Sequence, residues 1–190
     1  MTEPAPSPVV GDDEVLARAA QAGDREAFAA LVDRHAPAVG RLISAWIDRP
    51  VLVADLVQET FVAAWCALPR YRSGCFAAWL KRIALNAARQ ALRSAWTRRV
   101  QLVAVAASDE ADPHQPAQVV ARDERATAVR RAVDRLPADQ AEAVRLRFLL
   151  DESYPAAATI LGVPESTLRS RVLAALPRLR AELAPWVEEE

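Results

Sequence analysis

The chain has 190 residues, 52% apolar and 26% charged, a balance that belongs to folded globular proteins and excludes a disordered chain. Five glycines and a formal net charge of −1 favour helix over turn-rich sheet architectures and argue against indiscriminate binding to polyanions. Cys66 and Cys75 cannot form a metal site on their own, and His35 and His114 lie far from them in sequence, so no metal and no cofactor is expected; the cysteines read as two reduced thiols, one of them buried.

The N-terminus, MTEPAPSPVVGDDE, carries acid where a secretion signal needs base, and no later segment reads as a membrane span. The expectation is a cytoplasmic protein with no membrane insertion. Residues 1–12 read as a Pro-rich arm, with a first helix starting at Asp12 or Asp13. Gly23-Asp24 ends that helix and caps a second through REAFAALVDRHAPAVGRLISAWI, disturbed at Pro37. After Asp48-Arg49-Pro50, the apolar positions Val57, Phe61, Ala64, Trp65 and Leu68 recur at three and four residues and predict an amphipathic helix over about 52–68.

PRYRSGCF reads as a loop turning at Ser73-Gly74. AAWLKRIALNAARQALRSAWTRR predicts a long helix without proline or acid. VQLVAVA alternates like a strand but has no visible partner, and the residues after it gather acid and proline like a linker. Further helices are expected over about 127–135, in LPADQAEAVRLRFLL and in SYPAAATIL. Gly162 suits a C-cap there, and a last helix opens near Pro164.

Charge is segregated along this plan. Residues 1–23 carry four acids and one arginine, residues 24–99 twelve bases and six acids, residues 100–126 five acids and two bases, and the chain ends in three glutamates. The fold class expected is all-α: two small helical domains joined by an acidic flexible linker, the second containing a helix-turn-helix. The boundaries read as an arm and first helix over 1–23, a domain over 24–99, a linker over 100–126 and a domain over 127–186.

Within 79–99, Arg82, Asn86, Arg89 and Arg93 fall on one helical stripe beside Lys81, and Leu80, Ile83, Ala84, Ala87 and Ala91 lie opposite. Like charges at that spacing repel, and no acid supports them, so the stripe is the footprint of a polyanion. Tyr71, in the preceding loop, is the aromatic best placed to be exposed and to meet an unstacked base; Trp79 and Trp96, at helix spacing, are left with the core. SYPAAATILGVPESTLRSRVLAAL has the layout of a helix-turn-helix. Leu168, Val172, Ala175, Leu176 and Leu179 form its apolar face. Ser166, Thr167, Arg169, Ser170, Arg171 and Ala174 line the outer face, where hydroxyls and arginines meet groove edges and phosphates.

In order and spacing, DLVQETFVAAW, YRSGCFAAWLKRIALNAARQALR and LPADQAEAVRLRFLLDESYPAAATILGVPESTLRSRV resemble bacterial RNA polymerase sigma factors of the extracytoplasmic-function (ECF) group, over about residues 24–183. The resemblance implies a non-enzymatic promoter-recognition subunit whose partners are core RNA polymerase and promoter DNA, with an anti-sigma factor as a further candidate. It implies that Asp55, Gln58 and Glu59 contact the polymerase clamp while Phe61 and Trp65 pack. It implies that the loop 70–76, with Arg70, Tyr71 and Ser73, captures a flipped base, and that Lys81, Arg82, Asn86, Arg89 and Arg93 face the minus-ten element. Ser166, Thr167, Arg169, Ser170 and Arg171 then match the minus-thirty-five helix, and the acidic linker follows the polymerase's RNA path. The chain departs from the family pattern at Ala156-Ala157, Ser166-Thr167 and Ala174. Pro177 favours a kink or break in the last helix.

The alternative is a stand-alone helix-turn-helix regulator, which gives the block 52–96 no evident purpose. An enzyme finds no support: there is no Gly-rich phosphate loop, no HExxH, and Glu59 and Glu142 sit among ordinary neighbours. A helical protein-binding adaptor remains as a third reading.

Overall fold

The computed structural model describes residues 10–72, 74–105 and 124–187, and every regular element among them is helical. They form two compact units, one made chiefly of residues up to Leu92 and the other chiefly of residues from Arg93 onward. The middle of the expected linker, 106–123, lies outside the described residues.

The first unit contains α1 (Val10–Gln21), α2 (Arg25–Ser44), α3 (Pro50–Ala67), a 3₁₀ turn (Leu68–Arg70) and the start of α4 (Phe76–Val105). At the α1–α2 junction Gly23 takes φ +101°, a conformation that costs glycine least. Its N–H donates to the Ala20 carbonyl (3.0 Å) and that of Asp24 to Ala19 (3.1 Å), which satisfies carbonyls that the end of α1 leaves without helical partners. The Asp24 carboxylate then accepts from the N–H groups of Glu26 and Ala27, at 2.9 and 3.0 Å, and caps α2. One dipeptide thus closes one helix and opens the next.

α2 packs against both α1 and α3. It runs uninterrupted through Pro37, against the expected disturbance. Pro37 is exposed and so is Asp33, so the carbonyl deprived of a donor faces water. Leu31, Val39, Leu42 and Ile43 from α2 and Leu56 and Ala64 from α3 are buried. Thr60 is fully buried, and its hydroxyl donates to the Leu56 carbonyl at 2.7 Å, so the core holds no unmatched hydroxyl there.

Three expectations need correction among these helices. The stretch Pro50–Arg70 is long and apolar enough, by length and composition, to cross a membrane, although only 28% of its most apolar window is buried. The reason is that α3 carries apolar side chains outward as well as inward, Val51 and Val62 among them. Asp55 and Glu59 stand exposed along the same helix, and a carboxylate at the centre of a bilayer costs roughly 2.5–3.5 kcal/mol. Both cysteines are exposed, so neither is the buried thiol that was expected. α4 also continues as helix to Val105, through the segment whose alternation suggested a strand.

The second unit contains α5 (Glu124–Asp134), α6 (Ala138–Val144), a π-helical turn (Arg145–Leu149), α7 (Tyr154–Leu161) and α8 (Glu165–Val187). Val133, Leu136, Ala141, Val144 and Ala175 form its core, with Leu179 packed on it. The chain leaves α7 as it leaves α1: Gly162 takes φ +69°, its N–H donates to Thr159 (3.2 Å), and that of Val163 donates to Ala158 (3.1 Å). α8 continues through Pro177, correcting the expected kink or break. Pro177 and Leu173 are both exposed, as at Pro37.

Asp24→Ala should remove the α2 cap and lower unfolding free energy by about 1 kcal/mol in denaturant titration. Asp33→Ala, an exposed position on the same helix, should change it by less than about 0.5 kcal/mol.

Candidate nucleic-acid interface

α4 holds no acidic residue along its whole length. Arg82, Asn86 and Arg93 are exposed on it, and Lys81 and Arg89 are half-buried. Arg89 Nη1 donates to Asn86 Oδ1 at 3.4 Å, linking two members of the predicted stripe. The buried face is rotated from the expected one: Leu80, Ala84, Leu85 and Ala88 are buried, whereas Ile83, Ala87 and Ala91 are only half-buried. Ser73 and the side chains of Trp96, Arg98 and Arg99 lie outside the described residues.

In the loop before α4, Arg70 and Arg72 point outward and Tyr71 points inward. The expectation of an exposed Tyr71 is wrong, for a reason visible in its contacts. Its ring packs edge-on against Phe76 (5.6 Å between centroids, 84°) and lies 4.9 Å from half-buried Trp79. Its hydroxyl lies 3.0 Å from Glu14 Oε2 and 3.1 Å from the Gly74 carbonyl, two acceptors for one proton. Burial, reinforced by Glu14, pushes the phenol pKa upward, so the group donates throughout the physiological range. Gln21 completes the anchorage, with its side-chain nitrogen donating to the carbonyls of Leu68 and Tyr71, both at 2.8 Å. α1 therefore holds the base of the loop by side chains 47 to 57 residues away in sequence. No local pattern announces Glu14 or Gln21 in that role, whereas Arg72, two residues after Arg70 in the same basic loop, is legible from its neighbours.

α1 is itself pinned by a buried carboxylate. Asp13 Oδ1 accepts from Arg34 Nη1 at 2.6 Å, and Oδ2 lies 2.9 Å from His35 Nε2. An ionised carboxylate only accepts, so the imidazole donates from Nε2. His35 rests against Phe76, 5.5 Å between ring centroids, which ties this cluster to the start of α4.

On α3, Asp55, Gln58 and Glu59 are all exposed and share one face at i, i+3 and i+4. Phe61 is buried, as the packing role requires, but Trp65 is exposed at 36% and meets Phe28 edge-on at 4.8 Å. Arg25, Phe28, Phe61, Val62 and Trp65 line an apolar groove of about 360 Å³.

On α8, Ser166, Arg169, Ser170 and Ala174 are exposed, and Thr167 is half-buried. Arg171 turns aside: half-buried, its Nε lies 3.4 Å from Asp139 Oδ2 on α6. Leu168, Val172 and Ala175 are buried as expected, whereas Leu176 is 41% exposed and belongs to the outer surface.

Comparison with known proteins decides what these surfaces belong to. The family description Sigma-70 region 2 matches residues 31–98, and Sigma-70, region 4 matches residues 126–179. The RNA polymerase sigma factor NccH of Alcaligenes xylosoxydans xylosoxydans is 36% identical over 179 residues, covering 90% of this chain and 94% of NccH. The ECF RNA polymerase sigma-E factor of Escherichia coli (strain K12) is 32% identical over 184 residues, covering 92% and 96%. This chain belongs to the ECF sigma factors.

Solved sigma factors agree with the assignment. CnrH, in complex with the cytosolic domain of CnrY, superposes with a TM-score of 0.68 at 29% identity, covering 92% of this chain and 98% of CnrH. RpoE of Bartonella quintana, in complex with the anti-sigma factor NepR, gives 0.62 at 30%, covering 83% and 96%. As a sigma factor the chain is a transcription initiation factor that directs core RNA polymerase to promoters. Region 2 of this sigma factor takes in α3, the loop and most of α4, and region 4 takes in most of α5 to α8.

Burial lowers the His35 pKa from its ordinary 6.5; the charge and hydrogen bond of Asp13 pull the other way, and Arg34 and Lys81 add to the lowering. The folded sigma factor keeps this imidazole neutral where the unfolded chain takes a proton, so stability is lost as pH falls through and below the unfolded value. The unfolding midpoint of the wild type should drop as pH is lowered from about 7 to about 5.5, and His35→Gln should flatten the profile over that window.

Proposed function

We propose that this sigma factor divides its work among three exposed faces. Asp55, Gln58 and Glu59 on α3 engage core RNA polymerase. Arg70, Arg72 and the α4 residues Lys81, Arg82, Asn86, Arg89 and Arg93 engage minus-ten DNA, with Tyr71 acting from beneath as the loop's anchor. Ser166, Thr167, Arg169 and Ser170 on α8 engage the minus-thirty-five element, with Arg171 at the edge of that face. The observation that carries this reading is the acid-free α4, whose exposed arginines follow a loop that turns two more outward. Six guanidinium or ammonium groups without a carboxylate on the same helix or loop suit phosphates, and counterion release supplies much of the affinity.

The protein works without catalytic chemistry of its own, and in the cytoplasm, where polymerase and promoters are. The outward apolar side chains of α3, together with Asp55 and Glu59, suit a protein partner. CnrH and RpoE were each solved with a second protein bound, RpoE with an anti-sigma factor, which supports an anti-sigma factor as a further partner of this chain.

Arg82→Ala combined with Arg93→Ala should slow promoter opening roughly tenfold and flatten its salt dependence by one to two units of log–log slope. Affinity for core polymerase should stay within about twofold, as expected for a DNA-side change. Asp55→Ala combined with Gln58→Ala should do the reverse, weakening the complex with polymerase while leaving opening by the assembled holoenzyme close to wild type. Equal losses of both activities in both double variants would defeat the division.

A further inference from the structure

We propose that Tyr154, at the start of α7, is a positioning residue that sets the guanidinium of Arg169 for minus-thirty-five contact. The inference rests on the proposed role of the outer face of α8 and goes beyond it by assigning a residue outside that face. Tyr154 is half-buried, and the Arg169 Cζ lies 4.3 Å from the centroid of its ring. At that distance the cation meets the negative face of the aromatic system, an interaction that a flat guanidinium makes well.

A second restraint comes from α8 itself. Arg169 Nε and Nη2 both donate to Glu165 Oε1, at 2.9 and 2.6 Å. Ring and carboxylate together fix the plane of the group and spend two of its five N–H donors on Glu165. The same ring also takes Arg147 from the π-helical turn, whose Cζ is 5.4 Å from the Tyr154 centroid while its Nη1 donates to Asp151 Oδ1 at 3.2 Å. Tyr154 therefore gathers two arginines onto one ring at the N-terminal end of the recognition helix.

The consequence concerns specificity. An exposed arginine near the start of a helix has many rotamers, and reading one base edge or phosphate requires one of them. A guanidinium already held in plane reaches DNA without first being ordered. Arg171, by contrast, is directed to Asp139.

The test uses the complete sigma factor assembled with core polymerase. Run-off transcription is measured from a promoter selected with the wild-type holoenzyme, with its minus-thirty-five element intact or scrambled. Arg169→Ala should lower transcription from the intact promoter roughly tenfold, the value of one good DNA contact, and leave the scrambled one unchanged. Tyr154→Leu should lower the intact promoter roughly fivefold, and Tyr154→Phe, which keeps the ring, should stay within about twofold of wild type. Tyr154→Leu placed on Arg169→Ala should cause no further loss.

Arg169→Lys, at an exposed position that leaves folding alone, keeps the charge and should lose most of the activity, because an ammonium cannot be held in a plane. Silence of Arg169→Ala would overturn the DNA role of Arg169 and the positioning with it. A costly Arg169→Ala beside a silent Tyr154→Leu would overturn the positioning alone. Full activity of Arg169→Lys, or an additional loss when Tyr154→Leu joins Arg169→Ala, would do the same.

Discussion

The carboxylate of Asp13 is the point on which the arrangement of α1, α2 and the loop before α4 turns. It is 6% exposed, and burying it is tolerable only because Arg34 and His35 each satisfy one of its oxygens. That pair fixes α1 against α2. α1 can then present Glu14 and Gln21 to the loop, and the loop can hold Tyr71 inward with an arginine on either side of it. A charge cluster on α1 and α2 thereby helps determine which side chains the loop exposes. His35 adds a pH dependence to the arrangement, since burial lowers its pKa and favours the neutral ring, with Asp13 pulling the other way.

The second unit reaches an equivalent end with different means. Its outer surface is shaped by pairing: Arg169 with Glu165 and Tyr154, Arg171 with Asp139, Arg145 with Asp134 and Arg135 with Glu182. Ion pairs at exposed sites contribute little to stability. Their larger effect here is orientation, deciding which arginines stand outward with a defined plane and which are turned to neighbouring helices. A modest net charge is compatible with DNA binding under these conditions, because the carboxylates are arranged around the arginines instead of being absent from the chain.

What the sequence made legible follows the range of the interaction involved. Gly23-Asp24 and Gly162 announce helix ends because a left-handed residue and a capping carboxylate act within a few residues. The basic stripe of α4 was visible because helical periodicity maps directly onto faces. Tyr71 was misread because its partners, Glu14 and Phe76, lie on α1 and at the start of α4, and an aromatic in a loop gives no local sign of which way it will turn. Arg171 is turned aside by Asp139, a partner on α6 that its own neighbours in sequence do not announce. Pro37 and Pro177 were expected to disturb their helices, yet each sits on a solvent face where water can take the freed carbonyl. The family resemblance was carried by the spacing of three segments together, since the helix-turn-helix alone suits many regulators.

As a sigma factor the chain acts through polymerase, and the reading proposed here has both units engaged at one promoter. The most direct test is to map RNA 5′ ends made by core polymerase on fragmented genomic DNA, with and without the purified protein. The account predicts start sites that appear only when the protein is present and that share two short upstream elements at a fixed spacing. Protection of duplex sites by the protein alone, with polymerase start sites unchanged by its addition, would contradict it.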